Sequence, residues 1–196
     1  MNLFRIQSRN IWGDFGSNLI NARASRVVWD RTPLELSRAG PFVPPLCTNA
    51  GGAIVLVSDT IKSLIERDKP FPMSFRNTSY EHVYDIPWHT WDMRLQLPPV
   101  VPESGEPDDY FSDALDLAPS AIEDMEATWE LVPPMIPLNI VGRTADGELA
   151  WGGPHDYRGV FVEAEEFLGV YCDDKARAWL AKNVGPWVEF EAVEVE

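Results

Sequence analysis

Residues 51–75 read GGAIVLVSDTIKSLIERDKPFPMSF, and their grammar organises the rest of the chain. The apolar, β-branched run at 53–57 predicts a buried strand. Ser58 or Asp59 then offers a short oxygen-bearing side chain, which can accept from the free N–H groups of a helix's first turn. Ile61, Leu64 and Ile65 follow at helical spacing and give that helix one apolar face. Lys69-Pro70 ends it, because proline has no N–H to donate and disfavours helix at the residue before it. Residues 73–75 predict a second short strand. The C-terminal stretch repeats the pattern: a strand at 168–171, a cap at Cys172-Asp173, a helix face over 176–180, a stop at Gly185-Pro186 and a strand over 187–195. Two strand–helix–strand units thus bracket an acidic, proline-rich middle. The expected class is α+β, with a mixed, mainly antiparallel sheet and about three flanking helices. The expected organisation is one body over 1–196, with two lobes, 1–97 and 98–196, as the variant.

The chain has 196 residues, 45% of them hydrophobic, with 8 Trp and 9 Phe, which is enough for a sizeable core and argues against overall disorder. It holds no apolar run of about 18 residues, so no membrane span is expected. The first residues, MNLFRIQSRNIWGDF, lack a basic segment followed by a long apolar one, so cytoplasmic residence is the expectation. Two cysteines, Cys47 and Cys172, are too few for a disulfide framework and read as small buried side chains. The net charge of −15 disfavours nucleic acid, since a polyanion repels phosphates, and favours a cationic partner.

The charge is unevenly spread. Residues 1–38 carry six arginines, no lysine and three acids. Those arginines either form a binding patch or pair with the chain's own surplus acids. Within this region residues 3–6 predict a strand, Trp12 to Ser17 a loop from their Gly and Asp content, and 26–29 another strand. Residues 38–46, RAGPFVPPL, have three prolines in nine residues and must be extended, with Phe42, Val43 and Leu46 free to pack on the core. In 77–92, Tyr80, His82 and Tyr84 alternate with Glu81, Val83 and Asp85 as in a strand, and Trp88-His89-Thr90-Trp91 reads as an aromatic corner.

Residues 95–142 contain ten acids and no Lys or Arg: Glu103, Glu106, Asp108, Asp109, Asp113, Asp116, Glu123, Asp124, Glu126 and Glu130. Residues 97–102 are rigid and extended, and 103–111 form an acidic loop with Tyr110 and Phe111. Residues 119–131 predict an amphipathic helix built on Ile122, Met125 and Trp129. At about 4–6 Å and a surface dielectric near 20, each like-charged pair costs on the order of 3–4 kcal/mol before salt screening, far less when exposed. Folding is expected to gain nothing from such an arrangement, whereas a cationic partner would. A solvated acidic face and a catalytic or cation-binding carboxylate cluster are the competing readings, the last without any ligand-loop spacing to support it. Further on, Asp146-Gly147 predicts a hairpin turn and 151–159 a loop.

Three histidines are available, His82, His89 and His155, and their spacing matches no metal-ligand pattern. His155-Asp156 lacks an accompanying nucleophile elbow, Walker loop or nucleotide-binding glycine pattern. No catalytic residue, metal site or cofactor is therefore assigned.

Residues 38–46, residues 54–66 (IVLVSDTIKSLIE), the aromatic segment 88–92 and the C-terminal strand–helix–strand ending in Trp187-Val188-Glu189-Phe190 together resemble a group of bacterial immunity proteins. Those proteins belong to polymorphic-toxin and contact-dependent systems, including myxobacterial ones. Some carry paired Cys-x-x-Cys-Gly motifs, and this chain has neither. The resemblance implies a small cytoplasmic protein that binds and neutralises a cognate toxin without catalysis. Charge points the same way, because an acidic inhibitor can steer onto a basic toxin and occlude it. The expected partner surface is Glu103, Glu106, Asp108, Asp109, Tyr110, Phe111, Asp113 and Asp116. The alternatives are an adaptor module of a phage or secretion assembly, and a small hydrolase using a histidine with nearby acids.

Overall fold

The computed structural model describes residues 3–24, 33–49, 52, 54–134, 139–143, 149–152, 162–164 and 167–193. In chain order the elements are β1 (Leu3–Ser8), α1 (Asp14–Ile20), β2 (Arg23–Ala24), β3 (Leu34–Ala39), β4 (Leu46–Thr48), β5 (Val55–Ser58), α2 (Asp59–Asp68) and β6 (Ser74–Tyr84). They continue with α3 (Tyr110–Asp113), α4 (Pro119–Glu123), β7 (Thr128–Val132), β8 (Asn139–Arg143), β9 (Leu149–Gly152), β10 (Val162–Ala164), β11 (Phe167–Asp173), α5 (Asp174–Val184) and β12 (Val188–Val193). The strands form a six-stranded sheet in the order β2-β3-β6-β7-β5-β4, a four-stranded sheet β10-β11-β1-β12 and a hairpin β8-β9. Among these pairings β3–β6 is parallel and the rest are antiparallel. The fold is α+β, as the sequence predicts.

Both strand–helix–strand units take one shape. β5 and β6 each run antiparallel to β7, which lies between them, so they are parallel to each other and α2 is the crossover. β11 and β12 flank β1 in the same way, with α5 as their crossover. Each unit is a split βαβ whose central strand comes from elsewhere in the chain. The caps explain where the helices start. The Ser58 hydroxyl accepts from the Ile61 N–H at 3.4 Å, and the Asp173 carboxylate accepts from the Ala176 N–H at 2.8 Å. At the other end of α2, Lys69 adopts a left-handed conformation (φ 45) and its N–H returns to the Ile65 carbonyl at 2.8 Å.

Two apolar clusters hold the sheets. One joins both units: Phe4 and Ile6 of β1, Val55 and Val57 of β5, Leu131 of β7, Ile61 and Ile65 of α2, and Ala176 and Leu180 of α5. The other lies against the opposite face of the six-stranded sheet, where Leu56, Leu36 and Cys47 meet Leu19 and Ile20 of α1 and the Trp88 indole. β5 is therefore buried on both faces, which is why it reads as an uninterrupted apolar run.

Three expectations need correction. Residues 12–17 are not a loop throughout: Trp12 and Gly13 turn with positive φ (62 and 60), and α1 begins at Asp14. Residues 119–131 are not one helix. The helix ends at Glu123, and 128–132 form the strand β7, paired on both sides through Ser58↔Thr128 and Asn77↔Trp129. Trp129, Thr128 and Val132 suit a pleated strand, and pairing on both edges outweighs the helical spacing of Ile122, Met125 and Trp129. Residues 73–75 and 80–84 are not separate strands but fall within or beside the eleven-residue β6. The strands flanking the predicted Asp146-Gly147 turn do pair with each other. The turn itself, the strand expected at 26–29 and His155 lie outside the described residues.

Candidate protein interface

β6 and β7 are neighbours in the sheet, yet residues 85–127 separate them in sequence. The acidic middle is thus an insertion between two paired strands. Its first segment is pinned. The Trp88 indole is fully buried and donates to the Ala39 carbonyl at 2.9 Å. Phe42 packs edge-on to Trp88 at 5.6 Å and stacks on the His89 ring at 5.2 Å, forming the aromatic corner expected from the sequence.

The chain then leaves the body. Leu95, Leu97 and Val100 are 47%, 57% and 56% exposed, and Val101 is also exposed. The expectation that 97–102 is extended is corrected here: the chain bends at 95–97 and again at 99–100, with Pro98 buried between the two bends. It returns at Tyr110, which is 7% exposed and packs against Phe15 and Trp91, with ring centroids at 6.2 and 6.3 Å. The Tyr110 hydroxyl donates to the Val100 carbonyl and ties the two limbs of the excursion together. Burial pushes the Tyr110 phenol up to about 12. Phe111 is half-buried, edge-on to Tyr84 at 5.0 Å, with the Arg23 guanidinium 4.0 Å above its ring. Beyond it, Leu117 N–H donates to the Val83 carbonyl at 2.7 Å and Asp85 N–H to the Leu115 carbonyl at 2.8 Å. This docking onto the end of β6 leaves Leu115 79% exposed.

The acids divide into two groups. Asp108 pairs with Arg23, which also reaches Asn18. The Asp116 carboxylate meets His82 Nδ1 at 2.9 Å. Glu126 accepts from the Thr60 N–H at 2.8 Å and so satisfies a first-turn donor of α2. Glu130 is buried in β7 and pairs with Arg76 across the sheet. Glu103, Glu106, Glu123 and Asp124 are exposed and Asp109 is half-buried, and these five have no ion-pair partner among the described residues. The expectation that folding gains nothing from these acids is therefore corrected for four of them. Tyr110, expected on the partner surface, has its ring buried inside the body instead. Asp113 ends α3 within the same insertion.

Among the described residues, Arg23, Arg5 and Arg38 of the N-terminal region go to different places. Arg23 joins the insertion, Arg5 lies 3.9 Å from Glu191, and Arg38 is 1% exposed, with Nε and Nη2 unpaired. Both cysteines are free and buried, and burial raises both thiols, Cys172 to about 12, which makes poor nucleophiles of them. Among the described residues no three metal-ligating side chains converge, and no helix is long and apolar enough to cross a membrane.

The exposed Leu95, Leu97, Val100 and Leu115 were not singled out from sequence. Their signal was available: apolar residues spaced by prolines, with no helix or strand period to assign them an inward face. Comparison of the chain with protein-family models, curated proteins and solved structures finds no match.

Proposed function

We propose that this chain is a binding protein that neutralises a basic toxin, docking it on the 95–124 insertion. The observation that carries this reading is the mixture found there. Five carboxylates without ion-pair partners share an excursion with four strongly exposed aliphatic side chains, Leu95, Leu97, Val100 and Leu115. Exposed apolar groups among charges favour a protein partner over a solvated face, because only contact removes their surface from water. The carboxylates would accelerate and orient the encounter, and the aliphatic groups would supply the desolvated contact. Glu103, Glu106 and Asp109 would thus stand in for the negative charge of the toxin's own substrate. Phe111 sits at the edge of this surface, and Tyr110 beneath it acts as a support. The sequence resemblance to toxin-immunity proteins supports the same reading.

The test pairs affinity capture from the native strain with the triple reversal Glu103→Lys, Glu106→Lys, Asp109→Lys. The expected result is one basic protein retained by the wild type, released by the reversal, and toxic to cells unless wild-type chain is co-expressed. Equal retention by both forms at low salt would overturn the proposal.

A further inference from the structure

A solvent-open concavity of about 270 Å³ lies where the four- and six-stranded sheets meet, beside β1 and β4. Its lining is polar and includes two arginines. Arg5 and Ser8 come from β1, Arg9 follows directly, Asp14 opens α1, and Asn21 and Asn49 close the floor. The floor is a connected network. The Thr48 N–H donates to the Ser8 hydroxyl at 2.7 Å, the Thr48 hydroxyl donates to the Asn21 carbonyl oxygen at 3.3 Å, and the Ile54 N–H donates to the Asn49 carbonyl oxygen at 2.7 Å. Thr48, Asn21 and Asn49 are all buried. Polar groups are costly in a junction between two sheets unless held in fixed geometry, and these are so held.

The rim is shaped by unusual backbone. Trp12 and Gly13 are consecutive residues at positive φ, and Trp12 is a bulky side chain for which that region is unfavourable. A Cβ on Gly13 would meet nothing within 4 Å, so glycine is needed there for conformation and not for space. Such strain concentrates where a turn must present particular groups, and this turn presents Gly13 and Asp14 to the cavity. Arg9 is the other rim element. Its backbone N–H is tied to the Trp187 carbonyl at 3.2 Å, while its half-buried guanidinium has no partner among the described residues.

We infer that this cavity binds a small oxyanion carrying hydroxyl groups, a sugar phosphate or sugar acid, with Arg9 holding the anion. Arg9 supplies fork-shaped donors suited to phosphate or carboxylate, and the Ser, Asn and Asp side chains match hydroxyls. The volume is just below the roughly 300 Å³ at which drug-sized sites begin, which suits a monosaccharide-sized ligand. The inference does not depend on the proposed docking surface.

Titration calorimetry of the full chain with ribose 5-phosphate and with glucuronate separates the two anion sources, with ribose and inorganic phosphate as controls. One of the two acids should bind at least tenfold tighter than either control, and Arg9→Ala should weaken it by roughly tenfold or more. Ser17→Asp, which adds a negative charge at the exposed rim, should weaken it similarly without touching the core. Equal binding of acids and controls, or unchanged affinity in Arg9→Ala, would overturn the inference. Retained near-ultraviolet circular dichroism in both variants separates lost binding from lost folding.

Discussion

The two split βαβ units share a topology but differ in what fills them. In β11-α5-β12 the central strand is β1, which sends Phe4 and Ile6 into the core, and α5 runs on to β12 through one short turn at 185–187. In β5-α2-β6 the central strand is β7, reached only after the 85–127 insertion, and it carries Glu130 in a buried position beside Arg76. One unit turns apolar side chains of its central strand into the core and keeps the Arg5–Glu191 pair at its surface. The other accepts a buried ion pair and a long exposed connection. The difference teaches that the fold can host a surface without altering its sheet, since the insertion begins and ends on strands that pair with each other.

The buried pair offers the largest effect with which to break this comparison. Glu130→Ala removes the carboxylate that pairs with the half-buried Arg76 and should cost about 1–3 kcal/mol in denaturant unfolding. Its counterpart in the other unit, Ile6→Val, removes one buried methyl and should cost about 0.5–1.5 kcal/mol. Similar losses from the two would show that β7 and β1 are energetically alike.

The caps give the next effect. Asp173→Ala and Ser58→Ala should each lower stability by roughly 1 kcal/mol, with Asp173 the larger. Its bond is shorter and its charge faces the helix N-terminus. Equal thermal shifts would erase that distinction.

Arg38 sharpens the comparison from the opposite direction. It is buried in β3 with two unpaired nitrogens, so Arg38→Met should be neutral or stabilising by up to about 2 kcal/mol, as read by melting temperature.

The smallest effect is a titration. Asp92, clasped by Arg94 through two bonds at 2.8 Å, has its carboxyl lowered to about 2. Its folded value lies below the unfolded one, so its contribution is present above the ordinary carboxylate range and is lost as pH falls towards 2. Carbon-detected NMR should place the Asp92 midpoint near 2, and Arg94→Ala should move it up.

Much of this fold was legible where local chemistry and tertiary demand agree. Ser58 and Asp173 cap, Lys69-Pro70 stops, and Val55 to Val57 runs apolar because the strand is covered on both faces. Legibility failed where distant pairing decides. Residues 128–132 carry helix-compatible spacing, and only their neighbours β5 and β6 make them a strand. The stretch at Trp12-Gly13 looked like a loop because two consecutive residues at positive φ stand at the helix entrance. The acidic stretch was visible as composition, but which carboxylates the fold consumes depended on where Arg23, Arg76, His82 and the Thr60 N–H arrive from elsewhere in the chain.

Hydrogen–deuterium exchange of the chain, free and with its captured basic partner, tests the central claim most directly. The account predicts new protection across 95–116 and unchanged exchange in β11, α5 and β12. Protection confined to the α5 unit, with 95–116 exchanging as in the free chain, would contradict it.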